Sequence, residues 1–152
     1  MGFNQRSSPV ERLKAAVIDS SVILKWFRPQ EPHAETANAI LRAYLDERLD
    51  LTLPDLAVYE IANVMRYRTS ESETVQAAEV LFNFRIPLYR VSYQTIRRAV
   101  QVSVERDITV YDATFFVAAE TLRLQLVTAD KRFYQAIRSI PGMFFLSDLK
   151  LG

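Results

Sequence analysis

Four acidic residues carry the main chemical signal in this sequence, because each lies where an apolar segment begins or ends. The four are Asp19, Glu60, Asp112 and Asp130. Asp19 ends the apolar run that starts at Ala15, and Asp130 follows a second strand-like run that ends at Thr128. Carboxylates gathered at one edge of an α/β sheet repel one another, and a divalent cation that binds their oxygens removes this repulsion. The placement therefore predicts an acidic metal site.

Each acid also has an ordinary structural explanation when it is considered alone. Asp19, Asp112 and Asp130 stand where an aspartate often caps a helix or stabilises its N-terminus. Glu60 lies in an apolar helical stretch, where a surface glutamate can extend its carboxylate to solvent. The joint pattern favours a shared site, because the carboxyl ends of parallel strands meet at one edge of a sheet.

Strand-like and helix-like segments alternate along the chain, without hairpin signals between the strands. The predicted strands span residues 15–18, 51–53, 88–91, 125–128 and 143–146. The predicted helices span residues 22–27, 34–47, 54–67, 71–84, 93–106, 112–122 and 132–137. This alternation predicts an α/β fold, a three-layer α/β/α domain with a short central parallel sheet of about five strands.

Local signals set several predicted helix boundaries. Ser20 and Ser21 are suited to cap the first helix, and Pro54 suits the first turn of the third. Ser70 followed by Glu73 predicts a capping box before the fourth helix. We expect residues 1–13 to form a flexible leader and residues 14–150 to form the folded domain.

Composition excludes several classes of site. The 152 residues include no cysteine, one histidine, and three glycines that lie near the ends. Disulfide scaffolds, thiolate zinc sites, cysteine nucleophiles and glycine-rich phosphate loops are therefore excluded. The histidine, His33, precedes a predicted helix and has no triad partner in view, so we expect it to be exposed to solvent. Carboxylates are the main catalytic resource that remains.

The charge and hydropathy of the chain say little about partners. The net charge of +1 argues against the strongly basic surface of a passive nucleic-acid binder. No apolar run is long enough for a membrane span, so no membrane partner is expected. The absence of cysteine is compatible with a reducing cytoplasm, where we expect the protein to act.

The segments around the four acids resemble the PIN domain family and, within it, the VapC toxins of VapBC toxin–antitoxin modules. The matching stretches are VIDSSVILKWF at 17–27, PDLAVYEIANV at 54–64, YDA at 111–113 and LVTADKRF at 126–133. The resemblance covers roughly residues 14–148 and implies a PIN-like nuclease domain. Two other α/β sites are rejected. A haloacid-dehalogenase phosphatase needs a second aspartate two residues after Asp19, and a phosphoacceptor receiver domain needs an acidic pair after its first strand.

The resemblance implies a ribonuclease that depends on Mg²⁺ or Mn²⁺ and cleaves RNA. Asp19 and Asp112 would be the principal metal ligands, while Glu60 and Asp130 would act directly or through water. Oxygen-only ligands also suit these ions better than Zn²⁺. Many family members carry a further acid one turn after the third aspartate. Here that place holds Phe116, which weakens the case for a second metal ion.

Further residues are expected to support the site or contact the substrate. By the resemblance, Ser21 and Thr128 support it through hydrogen bonds. Asn63 falls one helical turn from the site glutamate on the same face, where it can orient a carboxylate or contact substrate. Lys25 and Lys131 lie within a turn or two of site acids and are the expected phosphate contacts.

The resemblance also implies partners: a cognate antitoxin protein that blocks the site, and a second copy of the chain in a homodimer. Two alternatives to the ribonuclease stay open. One is a catalytically silent PIN-like module that binds RNA or protein. The other is a metal-dependent DNase on the same scaffold.

Overall fold

The computed structural model describes residues 13–149, and residues 1–12 and 150–152 lie outside the described part. The predicted leader therefore falls outside it except for Leu13, whose side chain is buried in the core. In the described part the strands are β1 Ala15–Ile18, β2 Asp50–Pro54, β3 Leu88–Tyr89, β4 Gln125–Thr128 and β5 Met143–Phe145. They form one parallel sheet in the order β3-β2-β1-β4-β5.

Helices flank this sheet. They are α1 Ser20–Ile23, α2 Ala34–Leu45, α3 Leu56–Arg68, α4 Glu71–Asn83, α5 Tyr93–Arg106, α6 Val110–Leu122 and α7 Lys131–Ile137. Short 3₁₀ turns follow α1 at Leu24–Trp26 and β5 at Leu146–Asp148. The predicted α/β fold with a five-stranded parallel sheet is confirmed. None of the helices described is long and apolar enough to cross a membrane.

The centre of the sheet is the place where the strand order reverses. The chain adds β2 and β3 on one side of β1 and then returns to add β4 and β5 on the other. Open α/β sheets bind their ligands at such a switch point, outside the carboxyl ends of the strands. The backbone N–H of Asp19 donates to the carbonyl of Val127 at 2.9 Å, which continues the pairing of β1 and β4 to this edge.

Helix α6 is enclosed on all sides. Its residues from Ala113 to Ala119 are buried, because it packs on β1, β2 and β4 and is covered by α5. The hydroxyl oxygen of Thr109 accepts a hydrogen bond from the backbone N–H of Asp112 at 3.0 Å and caps the helix. The helix therefore begins at Val110, two residues earlier than predicted, and Asp112 lies in its first turn rather than at its start.

Two predicted helix starts are wrong. Helix α1 begins at Ser20, so Ser20 and Ser21 lie inside it and neither side chain caps it. Pro54 ends β2, where it pairs with Tyr89, and α3 begins two residues later. The strand tolerates this proline because the backbone N–H groups on either side of it, at residues 53 and 55, make the hydrogen bonds to the β3 segment.

Other local predictions are confirmed. The Ser70 hydroxyl accepts from the backbone N–H of Glu73 at 3.1 Å, and the Glu73 carboxylate accepts from the Ser70 backbone at 3.0 Å, which forms the capping box. His33 is exposed and directly precedes α2. These signals were readable because each depends on neighbours within one helical turn.

Candidate functional site

Asp19 lies at the centre of the candidate site, directly after β1, with 4% of its surface exposed. Its Oδ2 atom accepts hydrogen bonds from Ser21 Oγ at 2.6 Å and from Thr128 Oγ1 at 2.8 Å. Burial raises the pKa of the Asp19 carboxyl, and the two hydroxyl donors oppose that rise. Both side-chain donors engage Oδ2, and the backbone N–H of Ser20 is a further donor to this carboxylate.

The two hydroxyls also join the ends of β1 and β4. Ser21 Oγ accepts from the backbone N–H of Ala129 at 2.9 Å, and Thr128 Oγ1 accepts from the backbone N–H of Asp130 at 3.0 Å. Thr128 is fully buried. Each hydroxyl thus donates to Asp19 while it accepts from the backbone after β4, which fixes the rotamer of the aspartate.

Glu60 enters the site from α3. Its Oε1 atom accepts a hydrogen bond from Ser20 Oγ at 3.1 Å. Burial, followed by the negative charge of Asp19, raises the pKa of Glu60 from 4.5 to about 7, and the bond from Ser20 opposes this rise. Sequence reasoning missed Ser20 as a site residue. The one signal in the sequence was its position directly after Asp19.

The pKa of Asp112 is affected by the charges of the other three carboxylates. Burial raises its pKa from 3.8 to about 7, and the negative charges of Asp19, Asp130 and Glu60 add to that rise. A hydrogen bond from Thr109 opposes it. The structure therefore brings the four predicted acids into one electrostatic environment.

Asp130 caps a helix and also contributes negative charge to the site. It is exposed, and its Oδ1 atom accepts from the backbone N–H of Phe133 at 2.9 Å, which caps α7. The ordinary capping explanation is therefore correct for this residue. Its charge nevertheless raises the pKa of Asp19 and of Asp112.

The chemistry of these donors fits a hard divalent cation, because they are carboxylate oxygens held by hydroxyl groups. Among residues 13–149, no three His, Asp or Glu side chains already surround a single ion position. Binding of one ion by several of these carboxylates would therefore require a change in their side-chain positions. A cation supplies the attraction for that movement, because it replaces their repulsion with a favourable charge interaction.

The other residues predicted for the site lie in different settings. Asn63 is exposed on α3, and Lys131 is exposed at the first position of α7. Lys25 is held by the protein itself. Its Nζ atom donates to the carbonyl of Pro32 at 2.8 Å and to Glu31 at 3.5 Å, and only 12% of the side chain is exposed.

The sequence matches the PIN domain family over residues 16–138. The chain belongs to the PIN domain family. One relative of this PIN domain is ribonuclease VapC3 from Pyrobaculum aerophilum, which is 30% identical over 122 residues. The alignment covers 76% of this chain and 89% of that relative. PIN-domain nucleases typically use divalent metal ions.

Solved structures share the fold. VapC20 from Mycobacterium tuberculosis, described as a sarcin-ricin loop cleaving toxin, superposes with a TM-score of 0.65 at 18% identity, over 80% of this chain and 94% of that one. A toxin–antitoxin complex from Klebsiella pneumoniae gives a TM-score of 0.64 at 17% identity, over 84% of this chain and 94% of that one. At these identities the likeness establishes the architecture of the PIN domain.

Proposed function

We propose that this PIN domain is a Mg²⁺- or Mn²⁺-dependent endoribonuclease that hydrolyses RNA phosphodiester bonds, and that it is the toxin of a type II toxin–antitoxin pair. The observation that carries the proposal is the convergence of four acids at the carboxyl edge of the sheet, where burial and then the charge of Asp19 raise the pKa of Glu60 and of Asp112 to about 7. Carboxylates held together against their own repulsion are typical of a functional site. The relation to VapC ribonucleases supports the choice of substrate.

The residues divide the work of the site. A bound Mg²⁺ or Mn²⁺ would lower the pKa of an attacking water and place positive charge beside the phosphate. Asp19 and Asp112 would be the principal ligands in this proposal. Glu60 and Asp130 bind directly or through water. No histidine base is required.

The position of the expected fifth acid supports a single strongly bound cation. Phe116 lies one turn after Asp112, where it is buried and lines a hollow toward the C-terminal end of α6 together with Ala119 and Leu124. It brings no oxygen to the site. We therefore propose one high-affinity ion.

The test is cleavage of matched RNA and single-stranded DNA oligonucleotides in Mg²⁺, Mn²⁺ or EDTA. We expect cleavage of RNA only, with either metal, and loss of at least about a thousand-fold in rate for Asp19→Asn with Asp112→Asn. Asp50→Asn, at the amino end of β2, is the matched control and retains activity. Cleavage of DNA alone would establish the DNase, and metal-independent binding without cleavage would establish the silent module.

We also propose that a cognate antitoxin binds the toxin and blocks this site, as the description of the Klebsiella pneumoniae structure as a toxin–antitoxin complex suggests. The test is inhibition of RNA cleavage by the protein encoded in a small reading frame next to this gene. We expect full inhibition near one equivalent. Undiminished cleavage at a ten-fold excess would contradict the pairing.

A second copy of the chain is the partner we propose for α5. Four apolar residues form an exposed stripe on the side opposite its buried face, with exposed fractions from 42% to 79%. They are Tyr93, Ile96, Val100 and Val104. We expect Val100→Glu with Val104→Glu to halve the mass measured by sedimentation, while Gln101→Glu on the same helix leaves it unchanged. A monomeric wild-type protein at micromolar concentration would contradict the homodimer.

A further inference from the structure

Helix α3 carries an exposed row of side chains that starts at the carboxylate site. Glu60, Asn63 and Tyr67 follow one another at intervals of three and four residues, so they share one side of the helix. At a rise of about 1.5 Å per residue, Asn63 lies about 4.5 Å and Tyr67 about 10 Å along the helix axis from Glu60. The row therefore leads from a site carboxylate along the surface.

Tyr67 ends this row with an open aromatic face. The residue is 74% exposed, so its ring adds little to the core. The guanidinium carbon of Arg66 lies 4.7 Å from the centre of the ring, a cation–π contact. This contact covers one face of the ring with positive charge and leaves the other face available.

The row also borders an open groove of about 800 Å³ between α3 and α4. Asn63, Arg66 and Tyr67 line one wall, and Glu71 and Val75 line the other. An apolar protein segment in this groove would remove the charges of Arg66 and Glu71 from water, which is unfavourable. A nucleotide offers a phosphate to the cation and a flat base to the ring.

We propose that Tyr67, backed by Arg66, is a stacking platform for an unpaired base of the RNA substrate, and that Asn63 contacts the strand between this base and the cleavage site. The inference rests on the proposed ribonuclease function. Such a platform would help the site to bind RNA, because a cluster of carboxylates repels an anionic strand. Base stacking on an aromatic ring adds affinity that does not depend on charge.

The test measures binding of a fluorescent single-stranded RNA to protein that carries Asp112→Asn, which prevents cleavage. We expect Tyr67→Ala to weaken binding by about five- to a hundred-fold. Tyr67→Phe keeps the ring and stays within about two-fold. Phe82→Ala removes an exposed aromatic ring, 60% exposed, near the end of α4 and serves as the matched control. In cleavage-competent protein, Tyr67→Ala raises KM and leaves kcat nearly unchanged.

An abasic scan of the RNA then locates the stacked base. Removing that one base weakens binding to the protein with Tyr67 intact and has no further effect on Tyr67→Ala, because both changes delete the same contact. Unchanged RNA affinity in Tyr67→Ala, with cleavage by the wild-type protein, overturns this inference alone. Unchanged RNA affinity in Tyr67→Ala together with loss of binding to a protein partner would show that the groove binds that partner. A wild-type protein that neither binds nor cleaves RNA overturns the proposed function as well.

Discussion

Replacing Asp112 by asparagine is expected to stabilise the metal-free protein at alkaline pH, although it removes a residue of the proposed site. In the folded protein, burial and three neighbouring negative charges raise the pKa of this carboxyl from 3.8 to about 7. Asparagine has nearly the same shape and no charge. The substitution therefore removes the repulsion and leaves the packing at the start of α6 intact.

The direction and size of the effect follow from proton linkage. A raised carboxyl pKa means that the folded state holds the proton more tightly, so the free energy of unfolding falls as pH rises from about 4 to about 7. The change from 3.8 to about 7 corresponds to roughly 4 kcal/mol as an upper bound. Asp112 is only partly buried, so water screens part of this, and we expect about 1–2 kcal/mol.

The assay is chemical denaturation in EDTA between pH 4 and pH 8. Asp112→Asn and wild type are expected to be equally stable near pH 4, and the variant to gain about 1–2 kcal/mol by pH 8. Asp50→Asn, at the opposite edge of the sheet, controls for loss of a surface charge. Mg²⁺ at about a hundred times its Kd adds about 2.7 kcal/mol to wild type only, which reverses the order. A variant less stable than wild type at pH 8 in EDTA would refute the reasoning.

Substitutions at four further positions test the residues that support the carboxylates and the lysines near the site. Thr128→Val removes one of two hydroxyl donors to the central aspartate, and we expect Mg²⁺ affinity measured by calorimetry to fall about ten-fold or more. Ser20→Ala removes the hydrogen bond that lowers the pKa of Glu60, so we expect the acid limb of the pH–rate profile to move to higher pH. Ser20→Thr keeps a hydroxyl donor and returns the acid limb to its wild-type position. Lys131→Ala is expected to lower the slope of log binding constant against log salt concentration for RNA by about one. Lys25→Ala leaves this slope unchanged, because its ammonium is bound within the protein.

Each of these has a contrary result. Unchanged Mg²⁺ affinity in Thr128→Val would show that the hydroxyl serves the fold alone. An unchanged pH–rate profile in Ser20→Ala would show that the hydrogen bond from Ser20 to Glu60 does not affect cleavage. A reduced salt slope in Lys25→Ala would show that its ammonium leaves Pro32 to reach a phosphate.

The elements and the central acids were predictable because their signals are short-ranged. A buried strand is an apolar run, and Asp19 and Asp130 lie at the ends of two such runs. Parallel pairing then places strand ends at one edge without further information. The capping box at Ser70 depends only on a residue three positions away.

The supporting contacts were harder to predict because they join distant parts of the chain. Ser20 contacts Glu60 across 40 residues, and Thr128 contacts Asp19 across 109. Cap preferences describe only the nearest backbone, so they assigned Ser20 to a helix end when its hydroxyl serves a carboxylate. Lys25 was placed near the site by spacing, but its partners come from the turn that follows.

The most direct measurement is a crystal structure of the protein grown with Mn²⁺, with anomalous scattering recorded to locate the ion. We expect one strong peak bound by carboxylate oxygens of Asp19 and Asp112, with Glu60 and Asp130 bound directly or through water. Asp19→Asn with Asp112→Asn abolishes this peak. A peak elsewhere, or none at millimolar Mn²⁺ in the wild-type crystal, would contradict a cation site built from these four carboxylates.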